Sequence, residues 1–139
     1  MTLTVHHVPV NHVLQLLPLV KHHIEAGLEH SDDCTVEQTQ VFLSNGQWLL
    51  YVATNEEHKI NGIFVVSVTS GPNDRTATIV AAGGKGIANK YVFDQLCDLV
   101  LVEGATRIQA LARDSAARLF KKSGLIKKAN LVEKKLWVA

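Results

Sequence analysis

Near the start of the chain, apolar residues recur at spacings of three and four. They are Val13, Leu17, Val20, Ile24 and Leu28. This spacing places them on one side of a helix and predicts a buried stripe along it. Asn11 is a suitable N-cap, so the helix is predicted to begin there. Pro18 lies inside it and is expected to kink it or split it into two pieces, because proline cannot donate the helical hydrogen bond.

A second helix is predicted to begin at Thr35. Thr35 and Gln38 have the spacing of a capping box, in which each side chain bonds the other residue's backbone N–H. Asn45 and Gly46 are typical of the end of a helix. The residues expected on the buried side of this helix are Val36, Val41 and Phe42.

Strand-like segments flank these helices. The first is 2–8, in which Leu3 and Val5 lie on one face. Three more are rich in β-branched and aromatic residues and lie at 47–54, 59–69 and 75–82. The turn sequences NEEH and SGPND separate them, and connections this short predict an antiparallel meander.

The rest of the chain alternates between helices and strands. A helix is predicted at 88–103, a strand at 107–112, a helix at 114–123 and a final strand around 130–138. The buried stripe of the first of these helices is predicted to be Val92, Leu96, Leu99 and Val100. The complete predicted order is β-α-α-β-β-β-α-β-α-β, which indicates an α/β (α+β) fold.

Composition is typical of one folded domain. The chain has 139 residues, of which 47% are hydrophobic and 19% charged, so residues 1–139 are expected to form a single domain. No run approaches the ~20 apolar residues of a membrane-spanning helix, and the start lacks a signal-peptide profile, so a cytoplasmic location is expected. Cys34 and Cys97 are expected to be free thiols.

Charge is unevenly distributed along the chain. Residues 107–139 contain nine basic and two acidic residues, a net charge of +7, whereas the whole chain carries +1, which leaves −6 for residues 1–106. Such a division favours an anion on one part of the molecule and a cation on the other. Solvated helix faces also collect lysines, and that alternative stays open.

Three glycines follow the last strand of the meander, in the sequence AAGGKGIANKY. A strand that leads through glycines into a helix N-terminus directs several free backbone N–H groups at one place, which predicts an anion site. Glycine lets an anion approach the main chain closely, and Lys85 adds positive charge. The sequence fits neither a Walker A loop nor a dinucleotide fingerprint. The alternative is a tight turn that binds nothing.

The order of elements and three segments resemble the GCN5-related N-acetyltransferase (GNAT) family. The segments are VLQLLPLVKHHIEAGL, VFLSNGQWLLYVA and ARDSAARLFKKSGL. The resemblance covers essentially the full chain and implies a mixed, mostly antiparallel sheet of 6-7 strands with about four helices. Within the family the chain is most similar to small acetyltransferase-like proteins of phages and prophages, which implies a location in a host cytoplasm or a virion.

The resemblance also implies acetyl-CoA, or another acyl-CoA, as cofactor. Gly84, Lys85 and Gly86 match the second half of the family's pyrophosphate pattern, but Ala81 stands where that pattern has Gln or Arg. Lys121 and Lys122 lie where they can add positive charge for the phosphates. The cofactor-binding residues implied are Thr78, Val80, Ala82, Gly83, Gly84, Lys85, Gly86, Ile87, Ala88, Arg113 and Arg118.

Two chemical groups common in the family are missing here. Phe120 occupies the position of the tyrosine that protonates the leaving thiolate, and the fourth strand has no carboxylate to act as base. Glu29 and Asp33 are the candidate catalytic residues in their place. They belong to an acidic region between the first two helices that comprises Glu25, Glu29, His30, Asp32, Asp33 and Glu37. A solvated loop is the alternative for this region, and no metal is expected there because its spacing is not that of a zinc site.

Two functions are therefore predicted. One is an acetyl-CoA-dependent N-acetyltransferase that acts on an unidentified amine. The other is a catalytically degenerate phage protein of the same fold, with a structural, virion or host-interaction role and a phage or host protein as partner. A homodimer is possible in either case. Nucleic acid is an unlikely partner because the net charge is near zero, and no membrane partner is expected.

Overall fold

A computed structural model describes residues 2–29, 33–112 and 114–136. The strands are β1 (Thr4–Val8), β2 (Trp48–Thr54), β3 (Ile60–Ser70), β4 (Arg75–Gly84) and β5 (Arg107–Ala110). The helices are α1 (Val10–Leu28), α2 (Val36–Ser44), α3 (Lys90–Val102) and α4 (Asp114–Lys122). None of these helices, within the described ranges, is long and apolar enough to cross a membrane.

The five strands form one mixed sheet in the order β1-β2-β3-β4-β5. Neighbours from β1 to β4 are antiparallel, which confirms the predicted meander. β5 is parallel to β4, because α3 returns the chain to the end of the sheet where β4 began. The mixed α/β fold is therefore confirmed.

The sheet has a hydrophobic core on each face. On one face α1 and α2 pack against side chains such as Leu50, Ile63 and Ala81. On the other face α3 packs against Tyr51 and Phe64, among others. Successive residues of the central strands serve the two cores in turn, which is why β2 from Trp48 to Ala53 and β3 from Ile63 to Val66 are continuously apolar.

The sheet has five strands, so the prediction of six to seven is wrong for the described residues. The final strand predicted around 130–138 is not a strand within 130–136, and the last residues of that prediction lie outside the described ranges. Leu131, Val132 and Leu136 are 69%, 90% and 92% exposed. A β-like sequence alone is insufficient here, because a strand also needs a partner for its backbone groups.

The first helix differs from its prediction in two respects. It begins at Val10, directly after Pro9, rather than after Asn11. It also continues through Pro18 as one helix. Leu14, whose carbonyl loses its helical partner at Pro18, is 69% exposed, so water can satisfy that carbonyl and the helix need not break.

The second helix confirms its predicted start and end. The backbone N–H of Thr35 donates to Gln38 Oε1 at 2.9 Å, and the N–H of Gln38 donates to Thr35 Oγ1 at 3.1 Å. Gly46 follows the helix with φ +81°. Val41 is 58% exposed rather than buried, and Leu43 is fully buried instead.

Candidate functional site

The parallel strands β4 and β5 separate part-way along the sheet. Their pairing runs from Thr76 opposite Arg107 to Ile79 opposite Ala110, where β5 ends. β4 continues to Gly84, so 80–84 extend beyond the register with β5. Among the described residues, no strand pairs with the edge of β4 that faces away from β3 along 80–84, and this unpaired edge, which begins beside Ile79, is called the cleft below.

A β-bulge in β4 coincides with this separation. Ala81 pairs with Val65 and Ile79 pairs with Val66, which leaves Val80 as the extra residue. Val80 and Ala81 both pack into the core beneath α1, although adjacent residues of a regular strand point to opposite faces. The bulge therefore turns the second half of β4 relative to the first and helps to open the cleft.

Backbone hydrogen bonds in the second half of β4 alternate between β3 and the cleft. The N–H of Lys85 donates to the carbonyl of Asn61 at 3.1 Å, on the β3 side. Because backbone groups of a strand alternate in direction, the N–H of Gly83 points the same way, and those of Ala82 and Gly84 point toward the cleft. Two backbone donors thus face the position that β5 leaves open.

Close contacts with the protein's own main chain explain two of the glycines. A Cβ on Gly83 would overlap the carbonyl oxygen of His23 in α1. A Cβ on Gly84 would overlap the carbonyl oxygen of Asn61, and Gly84 also has φ +121°. These positions need glycine whether or not a ligand binds.

The turn from β4 into α3 is held at two points. Ile87 is 7% exposed and inserts against Gly62, where an added Cβ would lie 2.6 Å from Ile87 Cγ2. Asn89 caps α3: its Oδ1 accepts from the N–H of Val92 at 2.9 Å, and its Nδ2 donates to the carbonyl of Gly86 at 2.5 Å. The exposed part of the turn therefore lies at the positive end of α3.

The predicted cofactor residues fall mostly on this one edge. Thr78, Val80, Ala82, Gly83 and Gly84 belong to β4, and Lys85, Gly86, Ile87 and Ala88 form the turn. Arg118 lies exposed on α4, which packs near α3 through a contact between the rings of Phe93 and Phe120 at 5.9 Å. Arg113 lies outside the described residues.

Solved acetyltransferases have the same fold. An aminoglycoside acetyltransferase from an uncultured soil metagenomic sample, solved with sisomicin, aligns with a TM-score of 0.72 and 15% identity over 99% of this chain and 97% of that chain. A ribosomal-protein-alanine N-acetyltransferase from Brucella melitensis biovar Abortus gives 0.68 and 13% over 99% and 100%. A predicted acetyltransferase from Clostridium acetobutylicum, solved with acetyl-CoA, gives 0.66 and 14% over 97% of each. This chain has the acetyltransferase fold.

The likeness is one of structure. No protein-family model matches this sequence, and no curated protein matches it by sequence at a significant level. Because the identities are at most 15% among these three relatives, they establish the acetyltransferase fold and leave the chemistry to be argued from the residues of this chain. The similarity to phage proteins stays a prediction.

In this acetyltransferase fold α1 brings one of the two candidate catalytic residues, Glu29, close to β4. Glu29 follows the last residue of α1, and Gly27 of the same helix packs on Ala82. Ala82 is three residues beyond Ile79, about 10 Å along the strand. Asp33 is exposed before α2, while His30 and Asp32 lie outside the described residues. The contacts of α1 pass from Gly83 at His23 to Ala82 at Gly27, so the helix advances along β4 from the turn toward Ile79, and Glu29 follows in that direction.

Phe120 lies where its ring serves packing. It is half-buried and its ring meets that of Phe93 edge to face. A phenyl ring has no proton to give to a leaving thiolate, so α4 supplies no acid at this position. The Phe120 side chain instead stabilises the contact between α3 and α4.

His23 was missed by the sequence analysis and lies close to β4. Burial lowers its pKa, the charge of His22 lowers it further, and a hydrogen bond with the backbone of Ile60 partly offsets both. The rings of His22 and His23 are 3.9 Å apart. The hydrogen bond ties the His23 side chain to Ile60 at the start of β3.

A row of polar side chains on β4 and β5 was also missed. Thr76 and Thr78 lie opposite Arg107 and Gln109, on the sheet face that α1 covers elsewhere. The signal in the sequence is the alternation of polar and apolar residues in RTATIV and RIQA. This alternation indicates a strand but no polar face shared by β4 and β5, because the sequence does not show which strands are neighbours.

Proposed function

We propose that the protein binds acetyl-CoA, or another acyl-CoA, along the open edge of β4 and transfers the acyl group to an amine. One observation carries this proposal: β4 and β5 separate at Ile79 and Ala110, beside a bulge, and β4 then leads directly into the capped N-terminus of α3. An extended ligand with a polar amide arm and a phosphate end matches both parts of this edge. The relative from Clostridium acetobutylicum that was solved with acetyl-CoA has the same fold.

The roles of the residues follow from their positions. The N–H groups of Ala82 and Gly84 donate to the carbonyls of the pantetheine arm, as a partner strand would require. The pyrophosphate lies at the exposed turn, where Lys85 and the positive end of α3 favour an anion. Arg118 on α4, together with Lys121 and Lys122, neutralises the remaining phosphate charge.

The transfer itself needs little from side chains. The amine nitrogen attacks the thioester carbonyl carbon, the C–N bond forms, and the C–S bond breaks. The proton of the amine passes to water, and the CoA thiolate takes a proton from solvent. Backbone N–H groups of β4 polarise the carbonyl, and placement of the amine supplies most of the acceleration, since effective molarities reach ~10⁵ M or more.

A second candidate function is an acyl-CoA-binding protein without catalysis, which works through contacts with another protein. Phe120 in the packing position and the absence of a carboxylate from β4 favour it. A structural or host-interaction role in a phage belongs to this candidate and has no further support. Release of CoA from acetyl-CoA in the presence of an amine distinguishes the two, because only the enzyme gives it.

Ala88 offers the sharpest test of the binding site. It is exposed directly before the cap of α3, where a new side chain meets no neighbour in the core. We expect Ala88→Glu to weaken acetyl-CoA binding by about tenfold, because charges about 6 Å apart at an effective dielectric of about 40 repel by about 1.4 kcal/mol. The unfolding free energy is expected to be unchanged or higher, since a negative charge suits a helix N-terminus.

Ala88→Gln is the matched control, because it has the same shape without the charge. Isothermal titration calorimetry with acetyl-CoA measures both variants and the wild type. Equal affinities of the two variants would exclude the start of α3 as the phosphate site. If the wild type gives no heat and no thermal shift at millimolar acetyl-CoA, the proposed function is wrong. Variants of Gly84 are unsuitable for this test, because any side chain there overlaps Asn61.

A further inference from the structure

A polar groove runs along the face of β4 and β5 just below the point where they separate. Its floor is two cross-strand pairs, Thr76 with Arg107 and Thr78 with Gln109. The β3–β4 turn, residues 69–74, forms one wall. The groove has a volume of about 360 Å³, within the range of pockets that hold small molecules. Sheet faces covered by a helix normally present apolar side chains, so the polar side chains here fit contact with water or with a polar ligand.

The two charged groups in the groove neutralise each other. Arg107 Nε donates to Thr76 Oγ1 at 2.9 Å, and Arg107 Nη1 lies 3.7 Å from Asp74 Oδ2. The hydroxyl of Thr106 donates to Asp74 Oδ1 at 3.1 Å. An anion would have to compete with Asp74 for Arg107, and a cation would have to compete with Arg107 for Asp74. The groove as a whole is therefore uncharged and rich in hydrogen-bonding groups.

The position of the groove fits an acceptor rather than the cofactor. The pair Thr78–Gln109 is adjacent to Ile79–Ala110, where β4 and β5 part. The cofactor's phosphate end lies at the turn after Gly84, five residues and about 16 Å farther along β4. Its thioester therefore reaches toward the point of separation, and a molecule in the groove lies next to it.

We propose that this groove is the acceptor subsite. It selects a monoamine whose other groups are uncharged hydroxyls or amides over a polycation. This inference rests on the proposed acyl transfer. Hydroxyl groups of such an acceptor exchange hydrogen bonds with Thr78 and Gln109, while its amine points to the thioester. A polyamine finds no uncompensated carboxylate in the groove and leaves these polar groups unpaired, which costs binding free energy.

The test uses two probes and one pair of variants. D-Glucosamine is a monoamine with several hydroxyls, whereas spermidine is a polycation without any. Each is titrated into the ¹⁵N-labelled protein, with and without CoA, and backbone amide shifts are followed. We expect millimolar glucosamine, but not spermidine, to move the amides of Thr76, Thr78 and Gln109. Gln109→Leu is expected to raise the apparent Kd for glucosamine about fivefold, the equivalent of one lost hydrogen bond.

Gln15→Leu is the control, because Gln15 is exposed on α1 away from the groove, and it should leave the Kd unchanged. Acetyl-CoA is titrated separately and followed at the amides of Gly84 and Ala88. If acetyl-CoA shifts the amides of Gly84 and Ala88 but glucosamine does not shift those of the groove, the proposed acceptor subsite is wrong and the proposed cofactor site stands. If spermidine shifts the same groove amides as strongly as glucosamine does, the proposed selection of a hydroxylated monoamine over a polycation is wrong. If glucosamine binds and acetyl-CoA does not, the acyl-transfer function fails and the acceptor role fails with it.

Discussion

At the scale of single residues, the requirement for glycine at the end of β4 comes from two neighbouring main chains. The carbonyl of His23 in α1 meets Gly83, and the carbonyl of Asn61 in β3 meets Gly84. The run of glycines in the sequence predicts that a group approaches the backbone at the end of β4 closely, and an anion is the predicted group. The structure identifies the approaching groups as peptide carbonyls, because α1 crosses β4 at contact distance at Gly83 and β3 lies directly beside Gly84. A sequence does not show such a crossing.

Three glycines allow the cost of steric overlap to be measured separately from the cost of a positive φ. Gly84 has both a positive φ and an overlap with Asn61. Gly124 has φ +93° and no atom of the described residues within 4 Å of an added Cβ, and Gly71 has neither a positive φ nor a contact closer than 3.5 Å. We expect substitution by Ala to lower the unfolding free energy by about 3 kcal/mol or more at Gly84, by about 1 kcal/mol at Gly124 and by less than about 0.5 kcal/mol at Gly71. Urea denaturation measures all three, and equal losses at Gly84 and Gly124 would show that the overlap is relieved at little cost.

Tyr51 is a buried residue with an unpaired hydroxyl. Its side chain is 0% exposed, and its OH has no hydrogen-bond partner among the described residues, as is also true of Nε2 in His7, whose ring lies 5.2 Å away. Burial, and secondarily the charge of Glu103, raises the pKa of Tyr51 to about 12. The folded protein therefore holds this proton more tightly than the unfolded chain does.

The sign of the pH effect follows from that difference. The unfolding free energy is unaffected by the ionisation of Tyr51 below the unfolded pKa near 10 and falls as the pH rises through about 12, by a loss on the order of 3 kcal/mol at most. We expect Tyr51→Phe to abolish this alkaline loss and to be about 1 kcal/mol more stable at neutral pH, because it removes an unsatisfied hydroxyl. Denaturation at several pH values from neutral upward is the measurement. Tyr91→Phe, at a 62% exposed site, should retain the loss, and a loss that persists in Tyr51→Phe would assign it to another group.

At the scale of elements, helix starts were predictable where a side chain caps the helix locally. Thr35 and Gln38 form the capping box that their spacing predicts. The start of α3 is two residues later than predicted, at Lys90 instead of residue 88, because Asn89 is the cap and Ile87 is drawn into the core. The bulge at Val80 left no signal in the sequence, because it depends on the register with β3.

Asn89 links the stability of α3 to the shape of the proposed cofactor turn. Asn89→Ala removes both its bond from the N–H of Val92 and its bond to the carbonyl of Gly86, and we expect a loss of about 1 kcal/mol in unfolding free energy. Asn89→Ser keeps the cap and loses only the bond to Gly86. Thermal denaturation should therefore separate the variants, whereas calorimetry with acetyl-CoA should show weaker binding in both. Wild-type affinity in Asn89→Ser would mean that the Gly86 bond does not shape the site.

At the scale of the whole molecule, charge is divided along the chain, with −6 before residue 107 and +7 from there on. Arg118, Lys121 and Lys122 on α4 are exposed, so their charges are available to a ligand. In the described residues, the ion pair between Arg107 and Asp74 joins the two parts.

We expect the affinity for acetyl-CoA to fall as salt rises from about 0.1 M to about 1 M, where the Debye length falls from about 10 Å to about 3 Å. Pantetheine, which has no phosphate, is expected to bind with little dependence on salt. Arg118→Gln should reduce the salt dependence of acetyl-CoA binding, as measured by calorimetry at each salt concentration. A salt dependence that is the same in Arg118→Gln would place the phosphates away from α4.

The sequence by itself determined the elements from β1 to α4, their order and the antiparallel meander, because periodic burial, caps and short turns are local properties of the chain. It also indicated the turn at Gly84 as a site. Only the tertiary structure decided that β4 and β5 part at Ile79, that the end of α1 packs on Ala82, and that Thr78 and Gln109 form the floor of a groove. These features depend on register, on a helix crossing and on which strands are neighbours, and such relations join residues that the sequence keeps far apart.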